Sequence, residues 1–264
     1  MLKLRSLRAL AALTLLIWPI RASSLQLGLE VTPGKLEVSI PRGMTYNIPI
    51  TIHNSGLNST HVQATMVDFT VNQAGSYVFT KVGSRPNSLM KWASIRPREF
   101  NIQPNTSQQV QLTIQVPSNH ALSGEYAGIV FFQTRPERKP GQTVAFSERI
   151  ASKIYETIPN TVHIDGAIVR MASYANPLGR IYHVLFKNTG NAHVYLRGQL
   201  VVQTTSGKIV DRVPIPSNQL VERGGTRLLE LQGKRLAPGE YEAIATIDYN
   251  GKTDTAGGIK FTVR

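Results

Sequence analysis

Six histidines, at positions 53, 61, 120, 163, 183 and 193, are the first residues to weigh for chemistry. An imidazole works as a metal ligand or general base only where other groups converge on it. These six are scattered. His53 and His61 flank a turn, and His163 shares a strand parity with Asp165, a spacing that assembles no ligand set. Cysteine is absent, so disulfides and thiolate ligands are excluded. No G-x-S-x-G elbow, P-loop or G-x-G-x-x-G fingerprint occurs. The 16 acids mostly stand singly among strand formers, which gives no carboxylate pair for glycoside hydrolysis. "TAGG" at 255–258 lies between short strands with no helix to follow, and reads as a turn. The expectation is a non-enzyme with no catalytic residue, metal or cofactor.

The elements around these residues carry more information. In "LQLGLEV", Leu25, Leu27, Leu29 and Val31 share one parity. Leu36, Val38 and Ile40 alternate next, then Met44 to Ile52, then Val110, Leu112, Ile114 and Val116. Period-two alternation with β-branched residues, bounded by Gly, Pro and Asn, predicts half-buried strands. Near Met66 the apolar parity shifts from Val62, Ala64 and Met66 to Val67, Phe69 and Val71, which requires a bulge or a crossing between sheets. Pro49 has no N–H for a ladder and belongs at an edge or bulge. The expected fold class is all-β: two immunoglobulin-like β-sandwich domains in tandem.

Two near-repeats support the tandem. "IHNSGLNSTHV" at 52–62 resembles "FKNTGNAHVYL" at 186–196, and "SGEYAGIVFF" at 123–132 resembles "PGEYEAIATI" at 238–247. In Ig-like sandwiches a tyrosine at the start of a late strand bonds its hydroxyl back to backbone a few residues upstream. Tyr126 and Tyr241 are assigned that corner role, with Leu122 and Leu236 as apolar partners. The turn-rich stretch "IPNTVHIDG" at 158–166 divides the units: 25–159 for the N-terminal domain and 160–264 for the C-terminal domain.

Residues 1–24 read as a signal peptide. Lys3, Arg5 and Arg8 precede a short apolar run, and Ala22 and Ser24 offer small residues for cleavage. The run is too short to span a bilayer and is broken by Pro19 and Arg21. Removing this segment leaves 25 cations against 16 anions, or +9. The expectation is an exported protein, periplasmic, with no transmembrane segment in the mature chain. An anionic envelope surface is a possible contact. Nucleic acid is not expected, since "RGG" at 223–225 is a single copy beside a strand.

Two stretches are less generic: "SLMKWASIRPREFNIQPNTSQQVQLTIQVP" at 88–117 and "VAFSERIASKIYETIP" at 144–159. The first, from Trp92 to Pro117, resembles the N-terminal domain of the PapD-like periplasmic pilus-chaperone family. So does the terminal strand rising through Lys153 and Tyr155 to Pro159. "GEYAGIVFF", "RIASKIYETIP" and "FKNTGNAHV" also resemble phrases of two-domain bacterial envelope proteins related to the WxL-interacting proteins. The likeness spans nearly the whole chain after the signal, and its motifs are structural.

The resemblance implies a chaperone that lends the last strand of its first domain to an incomplete Ig-like subunit. Val144, Phe146, Ile150 and Ile154 are then the strand contacts. A basic pair in the interdomain cleft would hold the subunit's terminal carboxylate, with Lys153 and Arg149 as candidates and Lys35 as the nearest basic residue on the first strand. The departure from the family is Glu148, which interrupts the apolar parity where an unpaired carboxylate would be costly to bury. The partners implied are secreted, pilin-like subunits. The alternative is a non-enzymatic adhesion or scaffold protein that binds anionic cell-wall or surface polymers.

Overall fold

The alternating segments form strands because each can put one row of side chains against a facing sheet and leave the other in water. The computed structural model describes residues 28–136 and 143–264; the proposed signal, with Ala22 and Ser24, lies outside the described residues. The first half contains β1 (Leu29–Thr32), β2 (Lys35–Ser39), β3 (Thr45–Asn54), β4 (Thr60–Val71) and β5 (Tyr77–Thr80). It continues with β6 (Ala93–Arg96), β7 (Glu99–Ile102), β8 (Thr106–Gln115), β9 (Glu125–Thr134) and β10 (Arg149–Thr157). One sheet runs β1-β3-β8-β6; the facing sheet runs β2-β10-β9-β4-β5, with β7 also on β4. Ile50, Ile52, Leu112 and Ile114 from the first sheet meet Val62, Val130, Phe132 and Ile154 from the second in one buried core.

The second half contains β11 (Gly166–Asn176), β12 (Gly179–Asn188), β13 (Val194–Thr204), β14 (Ile209–Val221), β15 (Thr226–Gly233), β16 (Gly239–Asp248) and β17 (Thr255–Val263). Its sheets run β11-β12-β15 and β14-β13-β16-β17. Tyr182, Val184 and Phe186 face Leu200, Val202, Ala243 and Ala245 across a separate core. Two pairs of facing sheets, antiparallel except for the parallel pair β2–β10 and each pair with its own core, make two immunoglobulin-like β-sandwiches in tandem.

The local anomalies have physical outlets. β4 pairs with β9 as far as Val67 and with β5 from Asp68 onward. Its apolar residues change sides there, from the inner core to a cluster of Phe69, Ile129, Phe131 and Tyr155 on the outer face of the same sheet. Pro49 sits beyond Thr51, the last residue of β3 that pairs with β1, so its missing donor costs no ladder bond there.

The two corner tyrosines differ. Tyr241 donates its hydroxyl to the Ala237 carbonyl at 2.9 Å. Tyr126 is buried against Trp92, ring centroids 4.6 Å apart, and its hydroxyl makes no hydrogen bond among the described residues. The first corner is held by ring packing, the second by a hydrogen bond.

Candidate functional site

The first strand of the chain changes sheets. β1 pairs antiparallel with β3 in one sheet, and two residues later β2 pairs parallel with β10 in the other. β2 runs beside β10 only from Lys153 to Thr157, with the Lys153 N–H donating to the Gly34 carbonyl at 3.0 Å. Upstream, Arg149–Ser152 pair with β9 on one side. No strand among the described residues pairs with Arg149–Ala151 on their other side, although β1 passes close by and Ser152, fully buried, donates its hydroxyl to the Pro33 carbonyl at 2.7 Å. The Glu148 backbone faces β9: the Thr134 N–H donates to the Glu148 carbonyl at 2.9 Å, and the Glu148 N–H donates to Thr134 Oγ1 at 2.9 Å. Strand alternation then turns the N–H and C=O groups of Arg149 and Ala151 toward the uncovered side.

The side chains along this segment divide by parity. Val144 is 57% exposed and Phe146 45% exposed, large apolar groups with little of their own domain over them. Ile150 is half-buried against the core. Ile154 departs from the expectation of a partner contact: it is wholly buried inside this domain's own core, because β2 and the facing sheet cover β10 at that level. Glu148 also behaves differently from an intruder in an apolar row. Its carboxylate accepts from the Gly28 N–H at 3.1 Å and the Leu29 N–H at 3.1 and 3.2 Å. It therefore crosses to the start of β1 and satisfies two backbone donors there.

The basic residues lie on the opposite, outward face. Lys153 and Lys35 are direct cross-strand neighbours, a pairing that follows from the parallel register of β2 and β10. Their ammonium groups take different partners. Lys153 Nζ reaches the Tyr77 hydroxyl at 3.2 Å and lies 5.4 Å from the ring centre. Lys35 Nζ pairs with Glu37 at 2.8 Å and lies 5.2 Å from the Tyr195 ring centre. The Glu37 carboxylate, assisted by Tyr195, raises the Lys35 ammonium above the usual lysine range, so it stays charged. Arg149 is four residues away on the same face and joins neither lysine; its guanidinium stacks 5.1 Å from the Phe131 ring centre.

Beside the lysines the two sandwiches enclose a cleft. One lobe, about 430 Å³, is lined by Lys35, Glu37, His193, Tyr195, Arg197 and Asp248 among others. A second, about 300 Å³, is lined by Glu37, Glu125, Tyr155, Thr157 and His193 among others. His193 Nδ1 sits 2.5 Å from Glu125 Oε2, its ring packs 4.2 Å from Tyr155, and its Nε2 lies 3.6 Å from Glu37. Sequence reading passed over Glu125, Glu37 and His193 as a group because they come from three separated segments. Only the Glu125 position next to Tyr126 offered a hint.

No protein-family model and no curated protein matches the sequence. Some solved structures are similar to it over most of its length. The class 5 fimbriae chaperone CfaA is 10% identical, with 90% of this chain and 99% of that chain covered and a TM-score of 0.49. The CupB2 chaperone of Pseudomonas aeruginosa is 10% identical, covering 89% and 100%, at 0.42. A chain of the CsuC-CsuE chaperone-tip adhesion subunit pre-assembly complex of Acinetobacter baumannii is 12% identical, covering 88% and 97%, at 0.46. At these identities and TM-scores neither a family nor a residue role is carried across.

Proposed function

We propose that this is an exported, non-enzymatic chaperone of pilus or surface-subunit assembly, acting in the periplasm and built of an N-terminal domain at 25–159 and a C-terminal domain at 160–264. It takes a strand of a secreted client subunit along the upstream half of β10. The observation that carries this reading is the late start of β2, which leaves Arg149–Ala151 without a ladder partner on one side beside the exposed Val144 and Phe146. Main-chain hydrogen bonds at such an edge supply affinity, and alternate apolar side chains supply specificity. Val144, Phe146 and Ile150 are the contacts the geometry leaves available. The adjacent Lys35 and Lys153 support a role for the cleft in holding a client carboxylate, and Arg149 supports charge recognition on the outward face.

The test is Phe146→Glu. Its side chain is 45% exposed, so the fold should survive. The expected outcome is loss of a stable complex with a co-exported Ig-like subunit while the circular dichroism spectrum and unfolding midpoint stay unchanged. A complex that persists overturns strand pairing. A complex that dissolves between low and physiological salt, regardless of Phe146, points instead to polymer-type electrostatic binding.

A further inference from the structure

The outward face of β10 carries two cations that have no carboxylate partner among the described residues. Arg149 donates from Nε and Nη2 to a single neutral acceptor, Gln133 Oε1, at 2.8 and 2.6 Å. Lys153 meets only the Tyr77 hydroxyl and ring. Among the described residues neither has a carboxylate within 4.0 Å. Both are stacked on an aromatic cluster that holds them in place: Phe131 under Arg149, Tyr77 under Lys153. Phe79, 47% exposed, packs edge-on against Phe131 at 5.0 Å and extends the apolar rim.

β2 shows what a strand beside β10 looks like. Its Leu36 and Val38 turn toward the core, while Lys35 and Glu37 share the outward face with Lys153 and Tyr155. A strand added upstream, in line with β2, must place its own outward side chains about 5 Å from Arg149. Resting on the strand-pairing reading above, we infer that the client strand taken at this edge alternates apolar residues with acidic ones, the acidic row facing Arg149 and ending near Lys153. Apolar–neutral alternation would satisfy the inner face equally well; only the unpaired cations distinguish the outer one. Like charge directly opposite Arg149 is disfavoured by the same physics.

Three synthetic ten-residue strand peptides test this on the full mature chain. They share one alternating apolar row and carry Glu, Gln or Lys in the other row. Binding is read by fluorescence anisotropy at low salt. The Glu peptide should bind about three- to tenfold more tightly than the Gln peptide, and the Lys peptide most weakly. Arg149→Glu should reverse the order of the Glu and Lys peptides and leave the Gln peptide within about twofold. Equal affinities for all three peptides, or a Glu preference that survives Arg149→Glu, overturn the inference and leave strand pairing intact. Failure of every peptide to bind, the Gln peptide included, removes strand pairing and this inference with it.

Discussion

Two buried asparagines show how single residues hold the sandwiches. Asn54 Nδ2 donates to the carbonyls of Asn58, Ile102 and Gln103, while its Oδ1 accepts from the Gly56 N–H. Asn188 repeats the arrangement, with the carbonyls of Ala192, Val221 and Glu222 and the N–H of Gly190. The Asn-Ser/Thr-Gly phrase that recurs in the sequence is thus the same device used twice: one amide ties a turn to a neighbouring loop. Asn188→Ala should cost about 2–3 kcal/mol, because buried carbonyls lose their donor, and denaturant unfolding checks it. Tyr241→Phe should cost about 1 kcal/mol by the same measurement. Tyr126→Phe should cost less, since that hydroxyl is unbonded among the described residues. Glu156 sets a pH dependence. It is fully buried, neither carboxylate oxygen has a hydrogen-bond partner among the described residues, and burial pushes its pKa up to about 8. Its proton is bound in the folded state and released in the unfolded one across that interval. Its contribution to stability should therefore be fully present below the ordinary glutamate range and be lost as the pH rises through about 8, by roughly 5 kcal/mol in all. Glu156→Gln should abolish most of that slope in melts taken from pH ~5 to ~8.

At the scale of the element, β10 has two unlike halves. Downstream of Lys153 it is an interior strand between β9 and β2, and Ile154 and Tyr155 are buried accordingly. Upstream it is an edge, with polar and charged side chains at Ser147, Glu148 and Arg149. Charge is a usual defence of an edge against indiscriminate pairing. Glu148 adds a second duty by capping the start of β1. Glu148→Gln keeps one acceptor oxygen but loses the charge. It should loosen β1 and cost about 1–2 kcal/mol. Faster amide exchange at Leu29 and Val31 is the measurement, with Tyr182 in the other sandwich unchanged.

At the scale of the molecule, the sandwiches are joined by buried polar contacts rather than by an apolar seam alone. Glu222, 6% exposed on the second, accepts from Arg85 Nη1 at 3.1 Å and from the Val71 N–H at 2.9 Å on the first. Arg223 donates to the Glu125 carbonyl at 2.9 Å, and Glu125 in turn holds His193. Gly124 has φ +71, and any side chain there would strike Asn191 of the other sandwich, so the glycine before Glu125 permits the close approach. Glu222→Ala leaves the part-buried Arg85 guanidinium without its carboxylate, with only the Phe69 carbonyl as partner among the described residues, and strands the Val71 N–H. It should cost about 2–4 kcal/mol and free the relative orientation of the two halves. Small-angle scattering and cleavage within 158–165 would both register that freedom.

Strand positions, their facing and the tandem repeat were legible in the amino-acid order, because a period of two residues needs no knowledge of distant neighbours. The chemistry of Glu148 was not: alternation marks it as a misplaced carboxylate, and only the approach of Gly28 and Leu29, about 120 residues away in the chain, shows what it satisfies. Ile154 carried the same pattern as Val144 and Phe146, yet burial separates them, since where β2 begins to cover β10 is a matter of register between remote segments. The sequence by itself determined which residues can line a core and which can face water. The tertiary structure decided where a strand runs out of neighbours, because an edge is defined by the partners that other parts of the chain do or do not bring to it.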